Sequence, residues 1–373
     1  MGGGLAGAAA ACTLAQASRP TLLIERDTAP RHKVCGEFLS IEAQTYLARL
    51  GLDLDGLGAS HISSIRLING RRAAEVDLPF TARGVSRMSL DEALLHRAES
   101  LGAKLIRGAV VRNIAADGQG IHARADELGV LRPDALFLAT GKHDVKGAKR
   151  PRSGTSNDLI GFKAHYRLAE RQSSLLDGRV EVILFTGGYA GLQMIEDGVA
   201  NLCLVITQAR FKAVGRTWSG LLHSIADETR AFHDRLEGAA LLFERPLSIS
   251  QVPYGFVHLP NPVEPQGLFR TGDQAGVIPS YTGDGMAIAL HSGCLAALTY
   301  LTHGRASSIF HSQLRADILH QIRLASLLYV ATCRPFRQRI LLRLCQAWPM
   351  VMRHVTSSTR LRDCAVRRVL ETP

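Results

Sequence analysis

Gly2-Gly3-Gly4-Leu5-Ala6-Gly7 opens the chain and runs straight into Ala8-Ala9-Ala10-Ala11-Cys12-Thr13-Leu14-Ala15. Gly2, Gly4 and Gly7 fit a G-x-G-x-x-G spacing, and the small residues after them predict a helix able to pack close to a sheet. Thr21-Leu22-Leu23-Ile24 then reads as a short buried strand, closed by Glu25 18 residues after Gly7. In a dinucleotide-binding fold such glycines let the backbone approach a pyrophosphate and the helix N-terminus supplies partial positive charge. An acid at the end of the second strand accepts ribose hydroxyls. Glu25 is the expected ribose ligand; the plainer alternative is an Ala/Gly-rich core helix followed by an ordinary strand. The first strand of such a fold should precede Gly2, where the sequence has only Met1. The expected account is a start lying upstream. The other is a sheet lacking its central strand, which would expose strand edges and weaken the phosphate loop.

A second glycine site lies far down the chain. Gly267-Leu268-Phe269-Arg270-Thr271-Gly272-Asp273 reads as a short strand ending in Gly-Asp, and Pro279, Gly283 and Gly285 lead into a helix from Ala287 to Thr299. An acid at a strand end beside glycines can hold a polyol hydroxyl, and a glycine-rich helix start stabilises negative charge. Two such sites imply a long cofactor; a glycine-rich surface loop is the bland reading of the second.

These residues resemble the two FAD motifs of the geranylgeranyl reductase and p-hydroxybenzoate-hydroxylase group of flavoproteins, and Arg87-Met88-Ser89-Leu90-Asp91-Glu92-Ala93-Leu94 is similar to the group's R-x-x-L-D-x-x-L segment. The resemblance implies that Asp273 binds the ribityl chain, that Arg87 lies near the FAD, and that the helix after Gly285 points its N-terminus at the flavin. For Arg87, a solvated or salt-bridged arginine at a helix start is the alternative. Ala139-Thr140-Gly141 resembles the A-T-G that closes the FAD domain in such proteins, and reads equally well as a plain strand and turn. Lys33-Val34-Cys35-Gly36-Glu37 resembles the K-x-C-G-E loop of the reductase branch, which lies near the flavin. A Cys beside a Lys can have a lowered pKa and Glu37 could shuttle a proton, which makes both candidate catalytic residues. A buried inert Cys35 and a helix-capping Glu37 weigh the same.

The implied fold class is α/β: a Rossmann-like FAD-binding domain, its first strand apparently missing, with an inserted antiparallel β-sheet substrate domain and a C-terminal helical region. The expected boundaries are 1–150 with 265–300 for FAD, 151–264 for the sheet and 301–373 for a helical cap. Strand-like runs between residues 158 and 206, broken by Gly-Gly and Asp-Gly, support the sheet. Such a sheet would roof the flavin over a largely apolar pocket, and Tyr189 and Tyr254, each beside glycines, are candidate pocket residues or simple core.

The chain has 373 residues with 46% hydrophobic and 21% charged, which excludes a disordered or fibrous protein. Seven scattered cysteines without a CxxC pair speak against a disulfide framework or structural zinc. No metal is expected, and a poor signal-peptide pattern suggests a cytoplasmic protein. The net charge of +11 is uneven: residues 301–373 hold 12 Arg, no Lys and 3 acids, hence +9, and leave +2 for the body. Arginines interleave with leucines there, as in Arg337-Gln338-Arg339-Ile340-Leu341-Leu342-Arg343-Leu344, which fits either a helical cap or a peripheral membrane contact. Nucleic acid is a poor third partner.

The expectation is a FAD-dependent oxidoreductase acting on an apolar or aromatic small molecule, by monooxygenation or double-bond reduction. No second dinucleotide fingerprint occurs, so NAD(P)H would bind only transiently as reductant. The W-x-W-x-I-P signature of flavin halogenases does not occur, Trp218 and Trp348 being the only tryptophans. A degenerate flavoprotein that binds a ligand or membrane surface without turnover is the alternative.

Overall fold

The computed structural model describes residues 1–151, 155 and 158–371. In chain order come α1 (Leu5–Gln16), β1 (Leu22–Glu25), β2 (Phe38–Leu39), α2 (Ile41–Arg49), β3 (Ser60–Asn69), β4 (Arg72–Gly84), α3 (Arg87–Ser100) and β5 (Lys104–Arg107). A small meander of β6 (Val111–Asp117), β7 (Gly120–Ala125) and β8 (Gly129–Leu131) precedes β9 (Leu136–Leu138). Next follow β10 (Leu159–Arg167), α4 (Glu170–Leu176), β11 (Gly178–Phe185), β12 (Gly188–Met194), β13 (Ala200–Thr207), α5 (Gln208–Ala213), α6 (Trp218–Glu228) and α7 (Arg230–Leu236). The chain ends with β14 (Ala240–Leu241), β15 (Leu247–Ser250), β16 (Leu268–Arg270), α8 (Gly285–His303), α9 (Ser307–Thr332), α10 (Pro335–Ala347), α11 (Pro349–Ser358) and α12 (Asp363–Leu370).

The nucleotide half is built on two parallel pairs, β1 with β5 and β9 with β16. Met1 and Gly2 lie between them. Ala139 N–H donates to Met1 O at 3.0 Å, Gly2 N–H to Ile24 O at 2.8 Å, and the Met1 amine to Phe137 O at 2.8 Å. The central position of the sheet, expected to be missing, is thus bridged by two residues that satisfy the neighbouring backbone groups. α8 is long and apolar enough to cross a membrane, yet it packs against α1 so closely that a Cβ on Gly293 would lie 2.2 Å from Ala6 O. Only glycine at 293 allows that approach.

The second unit is one broad sheet in the order β14-β10-β13-β12-β11-β3-β4-β2, with β15 also on β10. It departs from the sequence reading twice. Residues 60–84, expected in the FAD domain, enter the sheet as β3 and β4 through an Asn69-Gly70 hairpin, and β11 pairs with β3 in parallel, so the sheet is mixed. Its middle strands, β10 to β13, read as near-continuous apolar runs because both of their faces are covered. On one side Phe162 and Leu202 pack under Leu221 and Phe232 of α6 and α7; on the other Leu67 and Val182 meet Leu342 and Met352 of α10 and α11. The expected junction near residue 151 borders residues 152–154 and 156–157, which lie outside the described residues.

The C-terminal helices serve both units. Phe310, Ile318 and Ile322 of α9 are buried in the nucleotide-half core, each contributing about 1.5–3 kcal/mol. α12 is tied back through Arg368, which donates to Asp317 at 3.1 Å; Asp317 also holds His291, whose Nδ1 meets the Tyr46 hydroxyl at 2.7 Å.

Candidate active site

At one end of the site, α1 begins on Gly4 with no side chain capping its free N–H groups. A Cβ on Gly7 would lie 1.9 Å from Gly2 O, so only glycine allows this tight turn. Glu25 ends β1 and accepts from Gly3 N–H at 2.5 Å and Asp27 N–H at 2.9 Å. Burial raises its pKa, but these N–H groups and Lys33 outweigh that and hold the carboxyl below its usual range. Arg87 opens α3 and makes a two-pronged contact with Asp91 one turn on, at 2.7 and 2.9 Å, while Lys33 reaches the same carboxylate at 2.8 Å. Asp91 thus clamps two cations beside Gly4, the complement of a pyrophosphate.

The other end is made where β9 and β16 stop. Thr271 N–H donates to Leu138 O at 3.0 Å, and Gln274 Nε2 to Gly141 O at 2.7 Å, lashing the A-T-G turn to the Gly-Asp turn. Asp273 accepts from Lys142 Nζ at 3.0 Å. Burial opposes the Lys142 charge, yet Asp273 raises its pKa. Gly283, with φ +73°, turns the chain into Gly285 and the start of α8. A cavity of about 170 Å³ joins Gly4, Cys35, Arg87, Lys142, Asp273 and Gly285. A glycine-lined cradle with cations at one end and a carboxylate at a strand end at the other fits FAD: Gly4 and Arg87 would face its phosphates, Glu25 a ribose and Asp273 the ribityl chain.

The Cys35-Gly36-Glu37 loop forms the roof. Cys35 lines the cavity and its sulfur accepts the Glu37 N–H at 3.4 Å. Glu37 has φ +58° and is fully buried. Its carboxylate accepts from Lys163 Nζ, from His165 Nε2 at 2.9 Å and from Arg87 N–H at 2.6 Å, while its carbonyl accepts from Gln193 Nε2 at 2.8 Å. Burial would raise the Glu37 pKa; His165 and Lys163 overcome it and keep the carboxylate ionised. His32, Glu37 and His165 lie close enough to hold a metal ion, but the Lys163 ammonium already sits on that carboxylate and repels a cation.

Beyond the loop is a second, apolar cavity of about 150 Å³ between the sheet and α10–α11. It shares Gly36, Phe38, Cys203, Ser280 and Gly283 with the first. At the boundary the Tyr189 hydroxyl meets Tyr254 at 2.9 Å and Ser280 Oγ at 2.7 Å, and Tyr254 also contacts Ser280. Burial lifts the pKa of both tyrosines, so they stay protonated at neutral pH.

The structure therefore brings together Gly4, Arg87, Asp273, Gly283, Gly285 and the Cys35–Glu37 loop around one cavity, with Gly2 and Gly7 beneath Gly4 and Glu25 at the edge. Pro279 sets the turn between Ile278 and Ser280, which line the cavity on either side of it. Tyr189 and Tyr254, candidate pocket residues or simple core in the sequence, share one hydroxyl cluster. Lys142, Lys163 and His165 escaped the sequence reading. The signal for the last two was a Lys and a His alternating through the otherwise apolar Phe162-Lys163-Ala164-His165-Tyr166 strand.

No protein-family model matches the chain. Menaquinone reductase of Mycobacterium tuberculosis is 38% identical over 322 residues, covering 80% of this chain and 74% of that protein. Tryptophan 2-halogenase of Chondromyces crocatus is 24% identical over 318 residues, 80% of this chain and only 59% of the halogenase. Among solved structures, a probable FAD-dependent monooxygenase from Pseudomonas aeruginosa superposes with a TM-score of 0.70 at 16% identity, covering 91% of this chain and 96% of its own, which shows the fold.

Proposed function

The chain belongs to the menaquinone reductase family, a family of FAD-dependent oxidoreductases, and from that premise we propose that it reduces a carbon–carbon double bond of an apolar, quinone-class small molecule, with NAD(P)H as a transient reductant. The observation that carries this reading is the apolar cavity: it opens from the FAD cradle and runs between aliphatic strands and α10–α11, a shape suited to an extended hydrocarbon. The K-x-C-G-E loop at its neck is the feature by which the sequence resembles the reductase branch of the geranylgeranyl reductase group. Halogenation has less support, since the two-tryptophan signature does not occur in the sequence.

FAD held in the cradle and reduced by NAD(P)H would supply the two reducing electrons as a hydride equivalent. The remaining requirement for a saturated product is one proton at the second carbon. The Tyr189–Tyr254–Ser280 cluster stands at the boundary of the two cavities with protonated hydroxyls and is the proposed donor, relaying within itself. Cys35 faces the FAD cradle as a second candidate. Glu37, fully committed to Lys163, His165 and Arg87, positions the loop that carries Cys35.

The test is anaerobic. Flavin-loaded enzyme bleached with NADPH should recover its colour on addition of menaquinone without oxygen, giving a product that stays heavier by two hydrogens after its ring is reoxidised to the quinone. Recovery only on admitting oxygen, with a product heavier by one oxygen atom, would establish a monooxygenase instead.

A further inference from the structure

The fold divides the arginine-rich tail in two. Arg360 and Arg368 turn inward, to Asp284 at 3.5 Å and Asp317 at 3.1 Å. The end of α9, α10 and α11 turn outward, and between Asp317 and Arg360 the sequence has six arginines, no lysine and no acid. This face also displays large apolar side chains: Phe336 is 72% exposed, Met350 69%, Leu327 71% and Trp348 61%. On α10, Phe336, Ile340 and Leu344 recur every fourth residue and so fall within an arc of about 80°, with Arg339 and Arg343 toward one edge and Arg337 toward the other. The opposite side of α10 is buried through Gln338, Leu342 and Cys345. Packing of the fold accounts for that inner row and leaves the outer one unexplained; a merely solvated helix face would mix in acids.

Beneath this face lies the apolar cavity. Leu341, Cys345, Met352 and Val355 line it from the same two helices, and Val351 both lines it and is exposed. The cavity therefore approaches the surface where the outer apolar row ends.

We propose that α10, α11 and the end of α9 form a docking face for an anionic lipid bilayer, through which the apolar cavity exchanges its ligand with the membrane. Phe336, Ile340, Leu344, Trp348 and Met350 would enter the headgroup boundary, and the flanking guanidinium groups would stay at the level of the lipid phosphates with their stems lying on apolar surface. A second copy of the chain is a worse occupant, because a twofold contact would press this face, with exposed Arg334, Arg337, Arg339, Arg343 and Arg353 and no acid to pair them, against an identical one. The docking face stands on its own geometry; only the exchange of a substrate through it rests on the reductase reading.

The experiment uses flavin-loaded, full-length protein sedimented with vesicles of phosphatidylcholine alone or mixed with phosphatidylglycerol. Binding is expected to the anionic vesicles and to weaken as salt rises. The combined variant Phe336→Ser, Trp348→Ser, Met350→Ser is expected to keep its flavin and to lose roughly tenfold or more in partitioning. In a Trp218→Phe background, Trp348 emission should shift to the blue on vesicle addition. Wild-type partitioning by the combined variant overturns the proposal, and so does an unmoved Trp348 emission. A blue shift that follows protein concentration without lipid overturns it in favour of self-association. Turnover in detergent-dispersed substrate should survive the combined variant while turnover of vesicle-embedded substrate falls. No turnover in either format with vesicle binding retained refutes the reductase reading and leaves the docking face supported.

Discussion

Replacing Lys163 by methionine tests whether Glu37 is an anchor of the flavin-side loop. Both side chains are completely buried, and the Glu37 carboxylate has three donors: Lys163 Nζ, His165 Nε2 at 2.9 Å and Arg87 N–H at 2.6 Å. Methionine keeps the length of the lysine and removes its charge, leaving a buried carboxylate on two donors. Removing one partner of such a pair costs about 3–5 kcal/mol, a large share of the roughly 5–15 kcal/mol that holds a protein folded. In the wild type the depressed Glu37 pKa contributes stability at neutral pH that is lost as pH falls through its folded value. Without Lys163 the carboxyl rises toward or above its unfolded value, so the folded variant takes up a proton in mild acid and its deficit against wild type shrinks there. Lys163→Met with Glu37→Gln should recover most of the loss, giving a strongly non-additive cycle. Urea unfolding followed by circular dichroism, with flavin content measured in parallel, reads both quantities. A cost under about 1 kcal/mol, or additive single and double variants, would refute the anchor. Glu37→Gln that leaves stability intact and shifts the pH profile of turnover would return Glu37 to proton transfer.

Three other outcomes are expected. Gly7→Ala should purify without flavin colour, because its Cβ would sit 1.9 Å from Gly2 O; an absorbance ratio equal to wild type contradicts the cradle. Tyr254→Phe leaves Tyr189 bonded to Ser280 and should retain FAD while kcat falls by about tenfold or more with KM little changed; full activity removes the hydroxyl cluster from the proton path. Asp284, buried at the start of α8, has its carboxyl pushed up to about 7 by burial, which Arg360 only partly offsets. A raised folded value means that the folded state holds the extra proton, so stability is full below about pH 4 and declines as pH rises to about 7. Asp284→Asn should flatten that decline in urea midpoints measured across the interval, and an unchanged slope would rule the assignment out.

Much of the backbone geometry of the candidate site was legible because its determinants are local. The glycine spacing at Gly2, Gly4 and Gly7, the strand closed by Glu25, and the Gly272-Asp273 turn each constrain the backbone within a few residues. That Gly4 and the Gly272-Asp273 turn meet at one cavity, with Glu25 at its edge, follows from the parallel pairing of β9 with β16 and from the Met1-Gly2 bridge between β9 and β1. The sheet was legible only in part. Asn69-Gly70 marks a hairpin, but nothing local says that β3 will pair with β11 across the intervening FAD-domain residues. The meaning of Glu37 was the least legible, since its carboxylate is decided by Lys163 and His165, more than a hundred residues away.

By itself the sequence determined the dinucleotide-type turns, the helix behind them and the concentration of +9 after residue 300, because spacing and composition are properties of the chain read in order. Only the tertiary structure decided which charges matter and how. It turns Arg360 and Arg368 inward to buried carboxylates and leaves the α10–α11 arginines outside around an apolar row. It likewise joins Tyr189 to Tyr254 and Ser280. The physical reason is common to both: desolvation and pairing are set by what surrounds a side chain in space, and those neighbours come from distant segments that the periodicity of any one segment does not encode.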